Sequence, residues 1–256
     1  MKKILFATGL SLLLTTGFCS CDNNSDDQLT DAEIQEILVG KWERTQINGR
    51  RNVTDYGIVF TLNADMTGTI SASQENGDFW LSKEPLTCTV KDAVLTLSVT
   101  NFPQITNCFK LTKVEDDKIC ATETAYNGKD YEVVFERVNA DYKTAILGLW
   151  EGVSMDGPAT YGDYTHRWEY KADGTYVYYS KDGDGNWEPF IDDVRNEYNV
   201  DGTWLSCLWE DTTGTVYRER WDITVCDEEN MVWSAYRRDR DTKEYFDATY
   251  TMKKIK

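Results

Sequence analysis

Apolar and polar side chains alternate with a period of two through most of the chain beyond residue 30. The segment 217–225 has one face made of Tyr217, Trp221, Ile223 and Val225, and an opposite face made of Arg218, Arg220, Asp222 and Thr224. This period is typical of β-strands that bury one face. Only four prolines interrupt the chain, while Trp and Tyr, which favour strands, are plentiful. The pattern therefore predicts an all-β protein.

Turn signals separate these short strands. Lys91-Asp92, Asp116-Asp117, Ala172-Asp173-Gly174 and Asp201-Gly202 each stand between two alternating segments. Strands joined by such short connections pair as antiparallel hairpins. Closing a meander of about eight strands removes its exposed edges, so we expect up-and-down β-barrels.

An internal repeat indicates that there are two barrels. Gly40-Lys41-Trp42 recurs as Gly148-Leu149-Trp150, an offset of 108 positions, and the same offset carries Phe60 onto Trp168. Each copy has about 110 residues, the size of one domain. We expect a first barrel over residues 30–140 and a second over residues 141–256.

A short helix is expected before each barrel. Thr30 and Glu33 have the spacing of a capping box, which predicts a helix that begins after Thr30 and ends near Ile37. The segment from Asp141 to Ile146 stands at the matching place before the second barrel.

The N-terminus has the layout of a secretory signal, with Lys2 and Lys3 followed by a short apolar run. Ser20 before Cys21 resembles the lipobox of bacterial lipoproteins, although a plain secretory signal is the alternative. We expect residues 1–20 to be removed, Cys21 to carry lipid, and the acidic residues 21–29 to form a tether. This tether is either an ordinary linker or a signal for export to the cell surface.

The short helix, the Gly-x-Trp that opens the first strand and the aromatic strand before a turn resemble the lipocalin-like domains of bacterial lipoproteins. The resemblance covers nearly all of residues 30–256 in two copies. It implies that Gly40, Trp42, Gly148 and Trp150 close the barrel floors. Each copy is shorter than a full lipocalin and lacks a C-terminal helix, and Met66 interrupts the Asp-Gly-Thr turn of the first copy.

Charge and cysteine content narrow the function. The net charge of −17 repels phosphate backbones and therefore excludes nucleic acid as a partner. Five cysteines follow Cys21, an odd number, and none forms a CxxC pair, so a metal site is not expected. Asp182-Gly183-Asp184 resembles the start of a calcium loop, but Trp187 stands where such a loop needs glycine, which favours a hairpin.

Aromatic residues concentrate in the second copy. Seven of the nine Trp follow Trp80, and the predicted ligand-binding residues of the second interior are His166, Trp168, Tyr170 and Trp221. The alternative is that large rings simply fill a small barrel. No Gly-x-Ser-x-Gly elbow or other catalytic constellation is present, so neither an enzyme nor a cofactor is expected.

The sequence thus predicts an outer-membrane lipoprotein, facing the surface or the periplasm, whose second barrel binds a small apolar or glycan ligand. The alternative is a structural or interaction module of an outer-membrane protein complex.

Overall fold

A computed structural model describes residues 29–54, 56–73, 80–125, 128–157, 165–190, 193–239 and 242–255. The predicted signal peptide, the lipidation site Cys21 and most of the acidic tether lie outside these ranges. No described helix is long and apolar enough to cross a bilayer.

The predicted first helix is confirmed. Helix α1 spans Asp31–Leu38, and Thr30 and Glu33 form both hydrogen bonds of the capping box. Ile34 and Leu38 are the buried residues of this helix, and they pack against the first barrel. Before the second barrel the chain makes a single turn instead, in which the amide of Ile146 donates to the carbonyl of Tyr142 over 3.0 Å.

The first sheet is a closed antiparallel barrel. Its strands are β1 Gly40–Ile47, β2 Arg50–Arg51, β3 Ile58–Leu62, β4 Thr67–Ser73, β5 Trp80–Lys91, β6 Val94–Val99, β7 Thr106–Val114, β8 Lys118–Thr124 and β9 Asp130–Arg137. Eight of them follow one another around the barrel, β2 extends the edge of β1, and pairing of β1 with β9 closes the ring.

The second sheet repeats this order but curls without closing fully. Its strands are β10 Gly148–Asp156, β11 Arg167–Tyr170, β12 Tyr176–Lys181, β13 Trp187–Pro189, β14 Asp193–Asp201, β15 Trp204–Asp211, β16 Val216–Cys226, β17 Asn230–Arg238 and β18 Tyr245–Ile255. Strands β13 and β14 are the two edges of the sheet. Across this opening, an isolated bridge joins Thr175 to Glu197.

Matching β-bulges confirm that the two copies repeat one plan. The pairing of β1 with β9 shifts between Arg44 and Gln46, and that of β10 with β18 shifts between Gly152 and Ser154. Later in each copy the shifts fall at Leu111/Lys113 and at Ile223/Val225. The offset between the copies is therefore 108 positions early and 112 positions later.

The four residues assigned to the barrel floors occupy equivalent environments. Trp42 Nε1 donates to the carbonyl of Leu38 over 2.9 Å, and Trp150 Nε1 donates to that of Ile146 over 2.7 Å. A cation covers each indole, Arg137 in the first copy and Lys254 in the second. Gly40 and Gly148 both have positive φ angles, and a Cβ at either would collide with that cation.

The two barrels contact each other through a buried polar junction. Arg220, only 1% exposed, donates to the carbonyl of Thr54 over 2.8 Å and pairs with both Glu43 and Asp222. Its guanidinium lies 3.4 Å from the ring centroid of Trp204. Arg220 was assigned from the sequence pattern to a polar face of its strand, and that face is turned to the first barrel.

A second group of contacts extends this junction. Asp201 of the second barrel is buried, pairs with Lys41 and accepts a hydrogen bond from Ser71 Oγ over 3.0 Å. Lys83 Nζ donates to the carbonyl of Val200 over 2.9 Å. Each barrel nevertheless keeps its own apolar cluster.

Candidate functional site

An aromatic cluster covers much of the inner face of the second sheet. One ring, that of His166, directly precedes β11, and the others lie on β11, β12, β16, β17 and β18. The members of the cluster are His166, Trp168, Tyr170, Tyr178, Trp221, Trp233 and Tyr250. Alternation along each strand directs these side chains to one face. The cluster contains all four residues predicted from the sequence.

His166 and Trp168 lie at the half-buried side of the cluster. Their ring centroids are 6.0 Å apart, and Tyr178 packs against both. The hydroxyl of Tyr178 and Nδ1 of His166 are 2.7 Å apart and share a hydrogen bond. Phe190, an exposed ring, contacts Tyr178 edge to face. This side therefore offers flat apolar surfaces together with a polar pair.

Tyr170 and Trp221 lie deeper and are buried. These two side chains therefore do not form a solvent-accessible binding surface. Both contact Trp233, with ring centroids 6.2 Å apart for Tyr170 and 5.8 Å apart for Trp221. Trp233 also contacts Trp168 at 5.2 Å, so it connects the half-buried side to the core. Nε1 of Trp233 is buried, and no described residue accepts a hydrogen bond from it.

Sequence reasoning missed Trp233, Tyr178 and Tyr250 as members of the cluster. The signal that could have identified Trp233 is its alternation with Met231 and Ala235, which are both buried. Tyr178 lies opposite Trp168 in the pairing of β11 with β12. Identifying Tyr178 from the sequence would have required knowledge of that register.

An ion pair lies beside the aromatic cluster on the same inner face. Nη2 of Arg237 is 3.0 Å from Oε1 of Glu219 and donates to the carbonyl of Arg220 over 2.8 Å. The guanidinium lies over the ring of Trp221 at 4.7 Å. Glu219 is two residues before Trp221, and Arg237 is two residues after the buried Ala235, so both side chains point inward.

Two nearly parallel rings continue this inner face. Trp209 and Tyr217 are directly opposite in the pairing of β15 with β16, with centroids 5.4 Å apart and planes 14° apart. Cys207 and Glu219 form the adjacent pair on the same face. Tyr217 is 42% exposed, so this ring surface is open to solvent.

Burial controls the ionisation of the interior groups. It raises the pKa of Tyr170 well above its ordinary value, with a smaller contribution from Cys207. Burial also raises the pKa of the Cys207 thiol, and the carboxylate of Glu219 adds to that effect. Both groups are therefore neutral near pH 7, and a thiol held in this form is a poor nucleophile.

The acidic loops are hairpin turns. Oδ1 of Asp182 accepts hydrogen bonds from the amides of Asp184 and Asn186, at 2.9 and 2.8 Å. The carboxylate is thus occupied by its own loop, as the hairpin interpretation expects. In the described parts of the chain, no group of three His, Cys, Asp or Glu side chains could hold a metal ion.

A scan against protein-family models finds no match, and no curated protein matches either. Among solved structures, a mutant of the vaccine antigen transferrin-binding protein B from Haemophilus parasuis Hp5 is 7% identical, with a TM-score of 0.28. That match covers 78% of this chain and 66% of the other. A protein of unknown function of the DUF3598 family from Nostoc punctiforme PCC 73102 is 9% identical, with a TM-score of 0.22, covering 89% of this chain and 100% of the other.

Proposed function

We propose that this chain is a non-enzymatic lipoprotein of the outer membrane, anchored through Cys21, and that its second barrel binds a small apolar or glycan ligand. The observation that carries the binding proposal is the half-buried side of the aromatic cluster, where His166, Trp168 and Tyr178 leave flat rings within reach of solvent. Ligand sites commonly combine such rings with a few placed polar groups. The hydrogen-bonded pair of His166 and Tyr178 supplies such groups here.

The contrast between the barrel interiors supports the choice of the second one. The first barrel is closed and its interior is packed mainly with aliphatic side chains and phenylalanines. The second has an opening between β13 and β14, beside which its aromatic rings are only partly covered. A ligand that stacks on rings gains contact there without displacing a packed core.

Binding is tested with two classes of probe on the mature chain. Native mass spectrometry and tryptophan fluorescence are recorded with decanoate and with methyl glycosides of glucose, galactose and mannose. We expect at least one class to bind and Trp168→Ala to weaken that binding about tenfold or more, because a stacking ring is lost.

The matched control is Trp187→Ala. Trp187 is also half-buried, but it lies on the outer face, between Arg167 and Lys181. Its loss should leave affinity unchanged. Absence of binding by both probe classes, or equal losses in the two variants, would refute a site on the inner face.

The anchor is tested separately by fractionation. We expect Cys21→Ala to move the protein from the membrane to the soluble fraction, because the acyl chains that hold it are no longer attached. Cys19→Ala is the control and should stay with the membrane. Membrane retention of the Cys21 variant would argue against lipidation at that residue.

A further inference from the structure

The indole nitrogen of Trp233 donates its hydrogen to no residue that the structure describes. Trp233 is only 3% exposed, and its Nε1 is buried. Across the described ranges, no other indole nitrogen is buried without an acceptor. Buried polar groups in proteins have a partner in roughly nine cases out of ten, so this N–H group needs an explanation.

The tryptophans of the barrel floors show how this chain treats an indole nitrogen that serves the fold. Trp42 Nε1 and Trp150 Nε1 each donate to a backbone carbonyl, at 2.9 and 2.7 Å. At the position of Trp233 the first copy has the buried Ala121, according to the later offset of 112 positions. The first barrel is thus packed at this place with no polar side-chain atom, and the unmet N–H is a feature of the second copy.

The side chain of Trp233 lies among the rings of the aromatic cluster. It contacts four of them, and these are Trp168, Tyr170, Trp221 and Tyr250. Trp168 is half-buried, and its centroid is 5.2 Å from that of Trp233. Trp233 is therefore one ring away from the side of the cluster that solvent reaches. A small molecule that packs on Trp168 comes close to Trp233.

This part of the interior disfavours negative charge. Burial raises the pKa of the Tyr170 hydroxyl and that of the Cys207 thiol, so both groups are neutral near pH 7. The guanidinium of Arg237 is already paired with Glu219. A carboxylate placed against Trp233 would lose its hydration without gaining a free cation in return. The group that accepts a hydrogen bond from Trp233 is therefore expected to be uncharged.

Two other ligand chemistries fit this position less well. A sugar would bring several hydroxyls against ring faces that cannot replace their hydrogen bonds to water. A pure hydrocarbon would cover the rings but leave the N–H group of Trp233 unmet. A carbonyl oxygen on an apolar compound accepts the one available hydrogen bond, while the rest of the compound packs on aromatic surfaces.

We propose that the ligand of the second barrel is an uncharged apolar compound with a carbonyl oxygen, which accepts a hydrogen bond from Trp233 Nε1 while the apolar part packs on Trp168. This inference rests on the proposed binding function and narrows it from apolar or glycan ligands to neutral carbonyl compounds.

The test compares acetophenone with ethylbenzene, which have nearly the same shape and differ by one carbonyl oxygen. The mature chain is isotope-labelled at its indole nitrogens, and the N–H signal of Trp233 is assigned from nuclear Overhauser contacts to its neighbours. We expect acetophenone to move this signal downfield, because the proton enters a hydrogen bond. Ethylbenzene should move it much less. This measurement uses the parent protein and does not depend on the folding of any variant.

Affinities give a second measurement. Trp233→Phe should lower the affinity for acetophenone about fivefold or more relative to that for ethylbenzene, because the carbonyl is then buried without a donor. Trp168→Phe is the matched control, since it makes the same substitution at a ring of the same cluster that contacts Trp233. It should change the affinities for the two compounds by the same factor.

The outcomes separate this inference from the binding function. Equal losses for both compounds in Trp233→Phe would overturn the inference, because the N–H group would then be met by water or by a ring face. A shift of the Trp233 signal that is no larger with acetophenone than with ethylbenzene would do the same.

Failure of acetophenone to bind, when decanoate or a methyl glycoside binds with sensitivity to Trp168→Ala, would overturn the inference and leave the binding function standing. Binding of none of these probes would overturn both.

Discussion

The two barrels share one plan and differ in the size of the side chains inside. At equivalent positions each side chain of the first barrel is replaced by a larger ring in the second, in the pairs Phe60/Trp168, Leu62/Tyr170, Phe109/Trp221, Ala121/Trp233 and Val133/Tyr250. The interior of an eight-stranded barrel is just wide enough for its side chains. Larger rings therefore require a wider sheet.

The gap in the second barrel lies where one strand of the first barrel is replaced by two. In the first barrel β5 is one strand of twelve residues, which pairs with β4 from Trp80 to Thr87 and with β6 from Leu86 to Lys91. In the second copy this place is taken by the separate strands β13 and β14. Pro189, at the end of β13, has no amide hydrogen to donate. Aromatic content and incomplete closure thus occur together in the second copy.

The strongest test of this contrast compares one ring from each interior. Phe135 is fully buried and contacts Phe60 and Phe109 at 5.5 and 5.1 Å between centroids. We expect Phe135→Ala to lower the free energy of unfolding by about 3–5 kcal/mol, measured by urea denaturation. Trp168→Ala, at the half-buried side of the aromatic cluster, should cost less than about 2 kcal/mol. Equal losses would mean that the second interior is as tightly packed as the first.

An effect of intermediate size on the free energy of unfolding is expected from the ionisation of Glu43 at the junction between the barrels. Burial, together with the charge of Asp222, raises the pKa of Glu43 from 4.5 to about 7, against the lowering effect of Arg220. The folded state therefore binds a proton more tightly than the unfolded state. This contribution is fully present below about pH 4.5 and is lost as pH rises through 7.

We therefore expect the free energy of unfolding to fall between pH 5 and 8 by on the order of 1–2 kcal/mol through this group. Glu43→Gln, which imitates the protonated acid, should remove that part of the dependence. Urea titrations of the parent and the Glu43→Gln variant isolate this contribution, because every other ionisable group is the same in the two proteins. Profiles that remain parallel would show that Glu43 stays ionised.

The smallest effect concerns the turn that the copies build differently. Met66 and Gly174 are equivalent, and both have positive φ angles, 61° and 86°. The following threonine is held by an aspartate in each turn, Thr67 by Asp65 and Thr175 by Asp173. Gly174→Ala should lower stability by about 1 kcal/mol, since an L side chain in this conformation is strained.

Gly183→Ala is the control for this substitution, because a Cβ there would meet no heavy atom within 4 Å and its φ is not in the left-handed range. Thermal melts of the two variants give the comparison. Equal melting temperatures would show that the left-handed conformation at Gly174 carries no cost.

Much of this fold could be predicted from the sequence, because alternation, capping and repetition are local signals. The capping box at Thr30 and Glu33 needs only four residues, and the copies align through Gly40 and Gly148. Val225 shows where such reasoning stops: it was assigned to the apolar face, but the bulge after Ile223 shifts the register and leaves it 40% exposed.

The aromatic site could be predicted only in part. His166, Trp168, Tyr170 and Trp221 were identified because they follow the period of their own strands. Other features depend on which strands become neighbours around the sheet, and that information is not local. They are the contacts of Trp233 with three other rings and the inward ion pair of Glu219 and Arg237. The contact between the barrels could not be predicted for a similar reason. A polar strand face can contact either water or a second barrel, and the sequence pattern is the same in both cases.

The junction also bears on self-association. Strand β1 of the first barrel contacts β16 and the turn before β15 of the second, so different surfaces of the two copies meet. Such a heterologous contact between identical units would propagate into open-ended polymers. The copies have diverged at the residues that would allow this. Glu151, the counterpart of Glu43, is held by Arg167 of its own sheet over 2.6 Å, and Cys108 stands at the counterpart of Arg220. With Glu151 and Cys108 at these places, the ion pair of the junction cannot form again between two chains.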